Sequence, residues 1–301
     1  MDRTLAEAEG ALEWVVGGHA RGANGGHATE AEDVVGWLRG ESGAPSLPLT
    51  WPRGFESVEA VTIRRKNVHA LTASEQSDLL RAFDAVAASG EWFNFGFLHD
   101  FHFSGIHAGS GVGAQRFLPW HRVMVYEFEQ ALRRHVPSAV VPYWDWRVPS
   151  SSSSPPASSL PPSWLLAYRP SLRVPSSHTG GRPPRGLQRP PLAGEPLPTF
   201  ADVTAVQRQT DYASYTAALE GGPHNTAHRW VGGVMATGWS PLDPLFWLHH
   251  AQVDRLWWEW AGAHPGEHPA LPSHARTMPP WSWVESQTRD ITTMGVGYEY
   301  V

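Results

Sequence analysis

Cysteine is absent from this chain of 301 residues. Its absence excludes disulfides, thiolate catalysis, iron–sulfur clusters and cysteine-ligated zinc or copper, so any metal must be held by nitrogen or oxygen. Charged residues are also scarce, at 17%, and a net charge of −6 provides no basic surface for a nucleic acid or an anionic membrane. No apolar run reaches the roughly 18 residues that a membrane span requires. We therefore expect neither nucleic-acid nor membrane partners.

The first residues lack the features of an export signal. Met1–Val16 contains acidic residues where an export signal would have a basic segment. No long apolar core or twin-arginine pair is present. These absences predict a cytoplasmic protein, although export together with a partner protein would leave no trace in this sequence.

Histidine and tryptophan are abundant, with 16 residues of each. This is well above the composition of an ordinary globular protein. Tryptophan is bulky and carries one N–H donor, so we expect these side chains to line the core and the walls of a pocket. The histidines are the candidate metal ligands.

Composition divides the chain into an N-terminal extension, residues 1–55, and a main domain, residues 56–301. Within the main domain, residues 149–198 form an insert rich in serine and proline. Such a composition cannot continue a helix or a strand ladder, and it favours a surface excursion or a partly disordered insert.

Capping residues and apolar periodicity predict three helices. Thr72 opens a capping box before the first. The second runs from about Trp120 to Arg134 with His121 on its apolar face, and the third follows the N-cap Asp243 with His250 on its apolar face. Long loops rich in proline and glycine would connect the helices. We predict a mainly α fold, a four-helix bundle with long irregular loops.

Two groups of histidines follow from this placement. His224 and His228 lie one helical turn apart, and His250 lies on the inner face of the next helix. Three neutral imidazoles with an open position form a catalytic metal site. A second cluster lies upstream and consists of His99, His102, His107 and His121.

Ligand type favours copper in both clusters. Iron oxygenases usually add a carboxylate and structural zinc sites usually add thiolates, whereas a pair of all-histidine sites suits copper. Two copper ions that face each other can each give one electron to O₂.

Several stretches resemble those of one family. Phe117–Arg122 (FLPWHR), with Glu129 downstream, and Asp243–Arg255 (DPLFWLHHAQVDR) resemble the two copper motifs of tyrosinases, which are type 3 copper proteins together with catechol oxidases and hemocyanins. Shorter matches are Arg65–Thr72, Pro142–Trp146 (PYWDW), Val231–Gly238 and Tyr298–Tyr300. The likeness covers about residues 60–301 without the insert, and it implies a helical bundle that holds a dicopper centre.

The resemblance implies ligands for the second copper and one ligand for the first. His224, His228 and His250 match the second copper's ligands, and His249 would then lie behind them or serve in packing. His121 matches the third ligand of the first copper.

The remaining ligands of the first copper depart from the family pattern. The position of the second ligand holds Gly111 and Val112 here, and the nearest candidate is His107, which a glycine-rich loop would bring back. His99 is the preferred first ligand, and His102 is the alternative.

Two further residues bear on the reaction. The resemblance implies that Glu220 and Asn225 hold a water that takes the proton from a monophenol, since a carboxylate can act as a general base through one water. Alternatively, Asn225 caps a helix and Glu220 is a solvated loop acid.

The implied activity is oxidation of small phenols with two copper ions as cofactor and O₂ as co-substrate. Monophenols would be o-hydroxylated and o-diphenols oxidised to o-quinones, in melanin or secondary-metabolite formation. The alternatives are a catechol or o-aminophenol oxidase without hydroxylase activity, hemocyanin-like O₂ binding, and a degenerate protein that has lost the first copper. The sequence ends on the tyrosine motif with no further domain to cover the pocket, which favours an enzyme over a carrier. A helper protein that loads copper stays an open alternative.

Overall fold

The computed structural model describes residues 63–150, 154–172, 187, 189 and 196–301. The predicted N-terminal extension, residues 1–55, lies outside the described residues, as does much of the serine- and proline-rich insert. The described residues are mainly helical, which confirms the predicted fold class.

Helices dominate the order of elements in these described ranges. They are α1 (Ala73–Ala88), α2 (Glu91–Ile106), α3 (Gly111–His135), α4 (Ser163–Ala167), α5 (Phe200–Gln207), α6 (Tyr212–Leu219), α7 (Asn225–Val231) and α8 (Pro244–Ala263). Two short strands, β1 (Ile63–Arg65) and β2 (Tyr298–Tyr300), form a parallel pair. Short 3₁₀ turns and one π turn, Glu220–His224, join these elements. Among the described residues, no helix combines the length and the apolar content that a membrane span requires.

The long helix α3 lies at the centre of the bundle. It packs against α1, α2, α6 and α8, and nearly every residue from Phe117 to Glu129 is buried. Only four residues connect α2 to α3, so the two helices run in opposite directions as neighbours. The predicted N-termini are confirmed at α1, where Thr72 forms a capping box, and at α8, where Asp243 accepts the Leu245 N–H.

The predicted start of α3, near Trp120, is wrong. The helix begins at Gly111 and contains Pro119. Proline has no N–H, so the carbonyl of Gln115 loses its helical donor. The Tyr212 hydroxyl of α6 donates to that carbonyl over 3.2 Å. A partner from another helix therefore lets the helix continue through the proline, and sequence periodicity contains no sign of that partner.

The strand pair closes the domain through a buried ion pair. Ile63 lies beside Tyr298, and Arg65 lies beside Tyr300. The guanidinium of Arg65 donates to both carboxylate oxygens of Glu129 over 3.1 and 3.2 Å, and both side chains are fully buried. Because a buried charge requires a partner, this bidentate pair fixes β1 against α3.

A second buried carboxylate joins three elements. Asp254 of α8 accepts from the Arg122 guanidinium of α3 through Oδ1. Its Oδ2 accepts from the hydroxyls of Tyr298 and Tyr300 over 2.7 and 2.6 Å. The Tyr298–Tyr300 motif therefore anchors the C-terminal strand to the bundle.

The described parts of the insert pack on the core, which differs from the expected surface excursion. Leu165, Leu172 and Leu187 are at most 6% exposed and belong to the main apolar core. Arg189 donates to both oxygens of Asp243 over 2.8 and 2.6 Å. Leucines spaced between the prolines supply apolar anchors, and Arg189 pairs with the carboxylate that caps α8. Overall serine and proline content does not indicate these contacts.

Candidate metal centre

Three histidines bring their ring nitrogens together where α2 meets α3. His99 lies within α2, His107 directly follows its last residue, and His121 lies within α3. The Nε2 atom of His99 is 3.1 Å from that of His107 and 3.2 Å from that of His121. The alternative first ligand, His102, lies outside this group, and its ring contacts Trp120 with centroids 6.0 Å apart.

The other nitrogen of each ring faces an oxygen. His99 Nδ1 lies 2.6 Å from the Gly238 carbonyl, and His121 Nδ1 lies 2.7 Å from the Phe117 carbonyl. His107 Nδ1 lies 3.0 Å from Glu220 Oε1. These acceptors assign the ring proton to Nδ1, which leaves a lone pair on each Nε2. Lone pairs that face one another at about 3 Å repel, and a cation between them removes that repulsion.

A second group of histidines also brings ring nitrogens together. His224 ends the π turn, His228 lies one turn later in α7, and His250 lies in α8. The Nδ1–H of His228 donates to the Met235 carbonyl over 2.6 Å, and its Nε2 lies 3.4 Å from His250 Nε2. His224 Nε2 is buried without a partner. Its Nδ1 faces two acceptors, the Glu220 carbonyl and Asn225 Oδ1.

His249 also places a ring nitrogen within this group, but it has the opposite tautomer. The Trp146 indole N–H donates to His249 Nδ1 over 3.0 Å, and indole can only donate. A neutral His249 ring therefore carries its own proton on Nε2, which is buried without a partner. It presents an N–H where a ligand must present a lone pair, so the geometry favours His250 over His249.

The two groups adjoin each other. The rings of His121 and His250 stack with centroids 4.3 Å apart and an interplanar angle of 10°. His107 and His224 lie 5.7 Å apart, also stacked, and Phe117 contacts His224 edge-on at 4.8 Å. The chain thus places two nitrogen-lined sites side by side in the core.

Burial keeps these rings neutral. It lowers the pKa of His99 to about 3 and that of His228 to about 4. Burial, followed by the charges of neighbouring imidazoles, lowers the pKa values of the others well below the usual value: His107, His121, His224 and His250. Neutral imidazole is the form that binds a metal.

The residues present fit two copper ions. All donors are neutral imidazoles, a set that suits copper, and thiolates are lacking. At metal–nitrogen distances of about 2.0–2.1 Å, two imidazole nitrogens on one tetrahedral ion lie about 3.3 Å apart. The Nε2 separations of 3.1, 3.2 and 3.4 Å agree with that spacing.

Glu220 and Asn225, the predicted catalytic pair, flank His224. Asn225 Oδ1 lies 3.1 Å from His224 Nδ1. Glu220 accepts from His107 through Oε1, and its Oε2 is buried without a partner. Burial raises the pKa of Glu220 to about 7. Glu220 is therefore a buried side chain at the site, which differs from the solvated loop acid of the alternative interpretation.

Comparison with known proteins decides the family. The model of the common central domain of tyrosinase matches residues 89–263, which span both histidine groups. The chain belongs to the tyrosinase family. The tyrosinase of Streptomyces glaucescens is 38% identical over 232 residues, which cover 67% of this chain and 84% of that protein.

This tyrosinase-family chain is also similar to a hemocyanin and to a solved tyrosinase structure. An A-type hemocyanin of Enteroctopus dofleini is 32% identical over 222 residues, 65% of this chain and 18% of that protein. The structure of the Burkholderia thailandensis tyrosinase is similar with a TM-score of 0.61 at 18% identity, over 80% of this chain and 74% of that one, which shows a shared fold. The protein is a tyrosinase-like oxidoreductase whose histidine groups fit a dicopper site.

Sequence reasoning missed four contacts in this tyrosinase-like site. The Gly238 and Met235 carbonyls orient His99 and His228, but backbone acceptors leave no sequence signal. Trp146 orients His249, and its place in the PYWDW motif was the available clue. Glu220 reaches His107 across the site. The glycine-rich connection after His107 was the available signal, because a ligand beside such a connection needs a side-chain partner to orient its ring.

Gly238→Ala is expected to weaken both the fold and copper binding. A Cβ at Gly238 would lie 2.1 Å from Asp100 Oδ1 and 3.2 Å from Asp100 Cα. The Asp100 carboxylate must therefore turn away, and the two backbones must separate slightly, which disturbs the carbonyl that orients His99. Overpacking of this kind lowers the free energy of unfolding by about 1–3 kcal/mol. Urea unfolding and copper content after dialysis measure the two effects.

Gly262→Ala is the matched control. Gly262 is exposed in α8, and a Cβ there meets nothing within 4 Å. Alanine is about 0.5–1 kcal/mol more favourable than glycine within a helix, so stability should rise slightly and copper content should stay the same. Equal effects of the two substitutions would contradict the role of the Gly238 carbonyl.

Proposed function

We propose that this protein oxidises small phenols with O₂ at a coupled pair of copper ions. The proposed ligands are His99, His107 and His121 for the first copper and His224, His228 and His250 for the second. The observation that carries the proposal is the adjacency of two groups of neutral imidazoles whose ring nitrogens converge within each group. When bound, copper supplies the electron transfer to O₂.

The proposed reactions balance without a further reductant. One monophenol and one O₂ give one o-quinone and one water, with the o-diphenol as the organic intermediate. Two o-diphenols and one O₂ give two o-quinones and two waters. The relatives named tyrosinase support this assignment.

A cytoplasmic location and a copper-loading helper protein stay predictions from the sequence.

Glu220 and Asn225 are the proposed proton-handling residues for the hydroxylation. A phenol must lose its proton before its oxygen can bind a metal. Glu220 Oε2 is buried beside the histidines with no hydrogen-bond partner, so it is available to hold a water that accepts this proton.

A second candidate function is oxidation of catechols or o-aminophenols without hydroxylation. It is favoured by the contacts that Glu220 and Asn225 already make. Glu220 Oε1 accepts from His107, and Asn225 Oδ1 lies within hydrogen-bond distance of His224 Nδ1. Oxygens engaged in this way orient ligands and are less available to water. Reversible O₂ binding is a further candidate because of the 32% identity with a hemocyanin.

Copper content and O₂ uptake test the proposal together. The protein reconstituted with copper is expected to hold two ions per chain and to consume O₂ with both a monophenol and a catechol. Uptake with catechol alone would assign the second candidate. Two coppers without turnover of either phenol would favour O₂ binding, and fewer than two coppers would contradict the coupled site.

A further inference from the structure

The Nδ1–H of His107 has a side-chain acceptor, whereas the other imidazoles of its group have backbone acceptors. Its Nδ1 lies 3.0 Å from Glu220 Oε1, and each of the two side chains is 8% exposed. The two residues are 113 positions apart. His107 lies between α2 and α3, whereas Glu220 begins the π turn that ends at His224. One hydrogen bond therefore connects the two histidine groups.

The remaining histidines of the first group are held by their local backbone. His99 and His121 lie inside helices and donate Nδ1–H to the carbonyls of Gly238 and Phe117. His107 has already left α2, with φ −133° and ψ 66°. The next connection residues include Gly109 with φ 63°, which lies in the left-handed region that favours glycine. Local structure thus restrains His107 less than it restrains its two neighbours.

The backbone N–H of His107 donates to the Phe103 carbonyl over 2.9 Å, but the remaining contacts of its side chain are with other rings. Phe103 stacks on it with centroids 4.6 Å apart, and Phe117 lies 5.3 Å away. These contacts limit the tilt of the ring, but they do not determine which nitrogen carries the proton. Only a hydrogen-bond acceptor at Nδ1 does so, and Glu220 supplies it.

A carboxylate acceptor does more than a carbonyl. It fixes the tautomer and orientation of the imidazole, and its charge makes the opposite nitrogen a stronger donor to a metal ion. Removal of such a partner typically weakens metal binding about 10–100-fold.

We propose that Glu220 is the positioning residue of His107. Glu220 lies on the π turn that carries the first ligand of the second copper. From there it orients His107, a ligand of the first copper that the glycine-rich connection restrains only loosely. The proposal rests on the dicopper site proposed above. It deepens that proposal because Glu220 Oε1 would strengthen copper binding at the first site by orienting His107.

Copper affinities of the separate sites test this role. The first site is measured in a His250→Ala background and the second in a His121→Ala background, by competition with a copper chelator. Glu220→Ala is expected to weaken the first site about 10–100-fold and to leave the second unchanged. Glu220→Gln keeps an acceptor oxygen but lacks the charge, so its effect on the first site should be smaller.

Glu127→Gln is the matched control. Glu127 is 8% exposed and accepts from the Trp283 indole N–H, and it belongs to neither histidine group. This substitution should leave both copper affinities unchanged. Equal weakening of both sites by Glu220→Ala, or a similar loss in Glu127→Gln, would overturn the proposal in favour of a general structural effect.

Two further outcomes separate this inference from the proposed function. Unchanged copper affinity with selective loss of monophenol turnover in Glu220→Ala would overturn the positioning role and assign Glu220 to proton transfer alone. A wild-type protein that binds two coppers but oxidises no phenol would overturn the proposed function, and the comparison of copper affinities would still decide the role of Glu220. A wild-type protein that binds fewer than two coppers would overturn both.

Discussion

His99→Ala is expected to remove one of the two coppers of the proposed site and nearly all phenol oxidation. His99 Nε2 lies 3.1 and 3.2 Å from the Nε2 atoms of His107 and His121, so its loss leaves the first site with two donors. One remaining copper cannot supply both electrons to O₂. Copper content per chain and O₂ uptake with a catechol measure the two effects.

His102→Ala separates the two candidates for the first ligand. His102 lies one turn further along α2, outside the nitrogen group, and its ring contacts Phe101 and Trp120. We expect this variant to keep both coppers and most of its activity. Thermal unfolding of both variants without copper shows whether each still folds. Loss of copper from His102→Ala with retention in His99→Ala would reverse the assignment.

Asp254→Ala is expected to lower the free energy of unfolding by about 3–5 kcal/mol. Asp254 is 4% exposed, and its carboxylate accepts from the Arg122 guanidinium and from the hydroxyls of Tyr298 and Tyr300. Without it, the buried Arg122 cation loses its counter-charge, and the hydroxyls of Tyr298 and Tyr300 lose their acceptor. A loss of this size is comparable to much of the total stability of a typical domain. Urea unfolding followed by tryptophan fluorescence measures it.

The exposed ion pair on the same strands is the control for this loss. Arg64 and Glu299 pair across β1 and β2 over 2.9 Å, with side chains 63% and 46% exposed. Exposed pairs contribute about 0–1 kcal/mol, so Glu299→Ala should change stability little. If the two alanine variants lost similar stability, the closing strand itself, and not the buried charge, would carry the effect.

The sequence predicted the parts of the fold that depend on local chemistry. The capping box at Thr72 and the N-cap at Asp243 are confirmed because each is completed within three residues. Apolar periodicity placed His121 and His250 on inner faces, and the structure buries both. The structure also brings the His107 ring nitrogen beside those of His99 and His121, and the assignment of these residues as copper ligands stays a prediction.

Contacts over long sequence distances were not predictable in this way. The start of α3 depends on Tyr212, which supplies a donor to the carbonyl freed by Pro119 from almost a hundred residues away. The packing of the insert depends on Arg189 meeting Asp243. The orientation of His107 depends on Glu220. Each contact joins residues of common types that are far apart in the sequence and meet only in the folded chain.

The pairing of β1 with β2 has a consequence for the order of folding. It joins residues 235 positions apart, whereas four residues separate α2 from α3. The entropy lost in closing so long a chain must be offset by contacts that already exist, so we expect the helices to associate first and the strands to pair last. Asp254 would then gain the hydroxyl donors of Tyr298 and Tyr300 only when the strands pair.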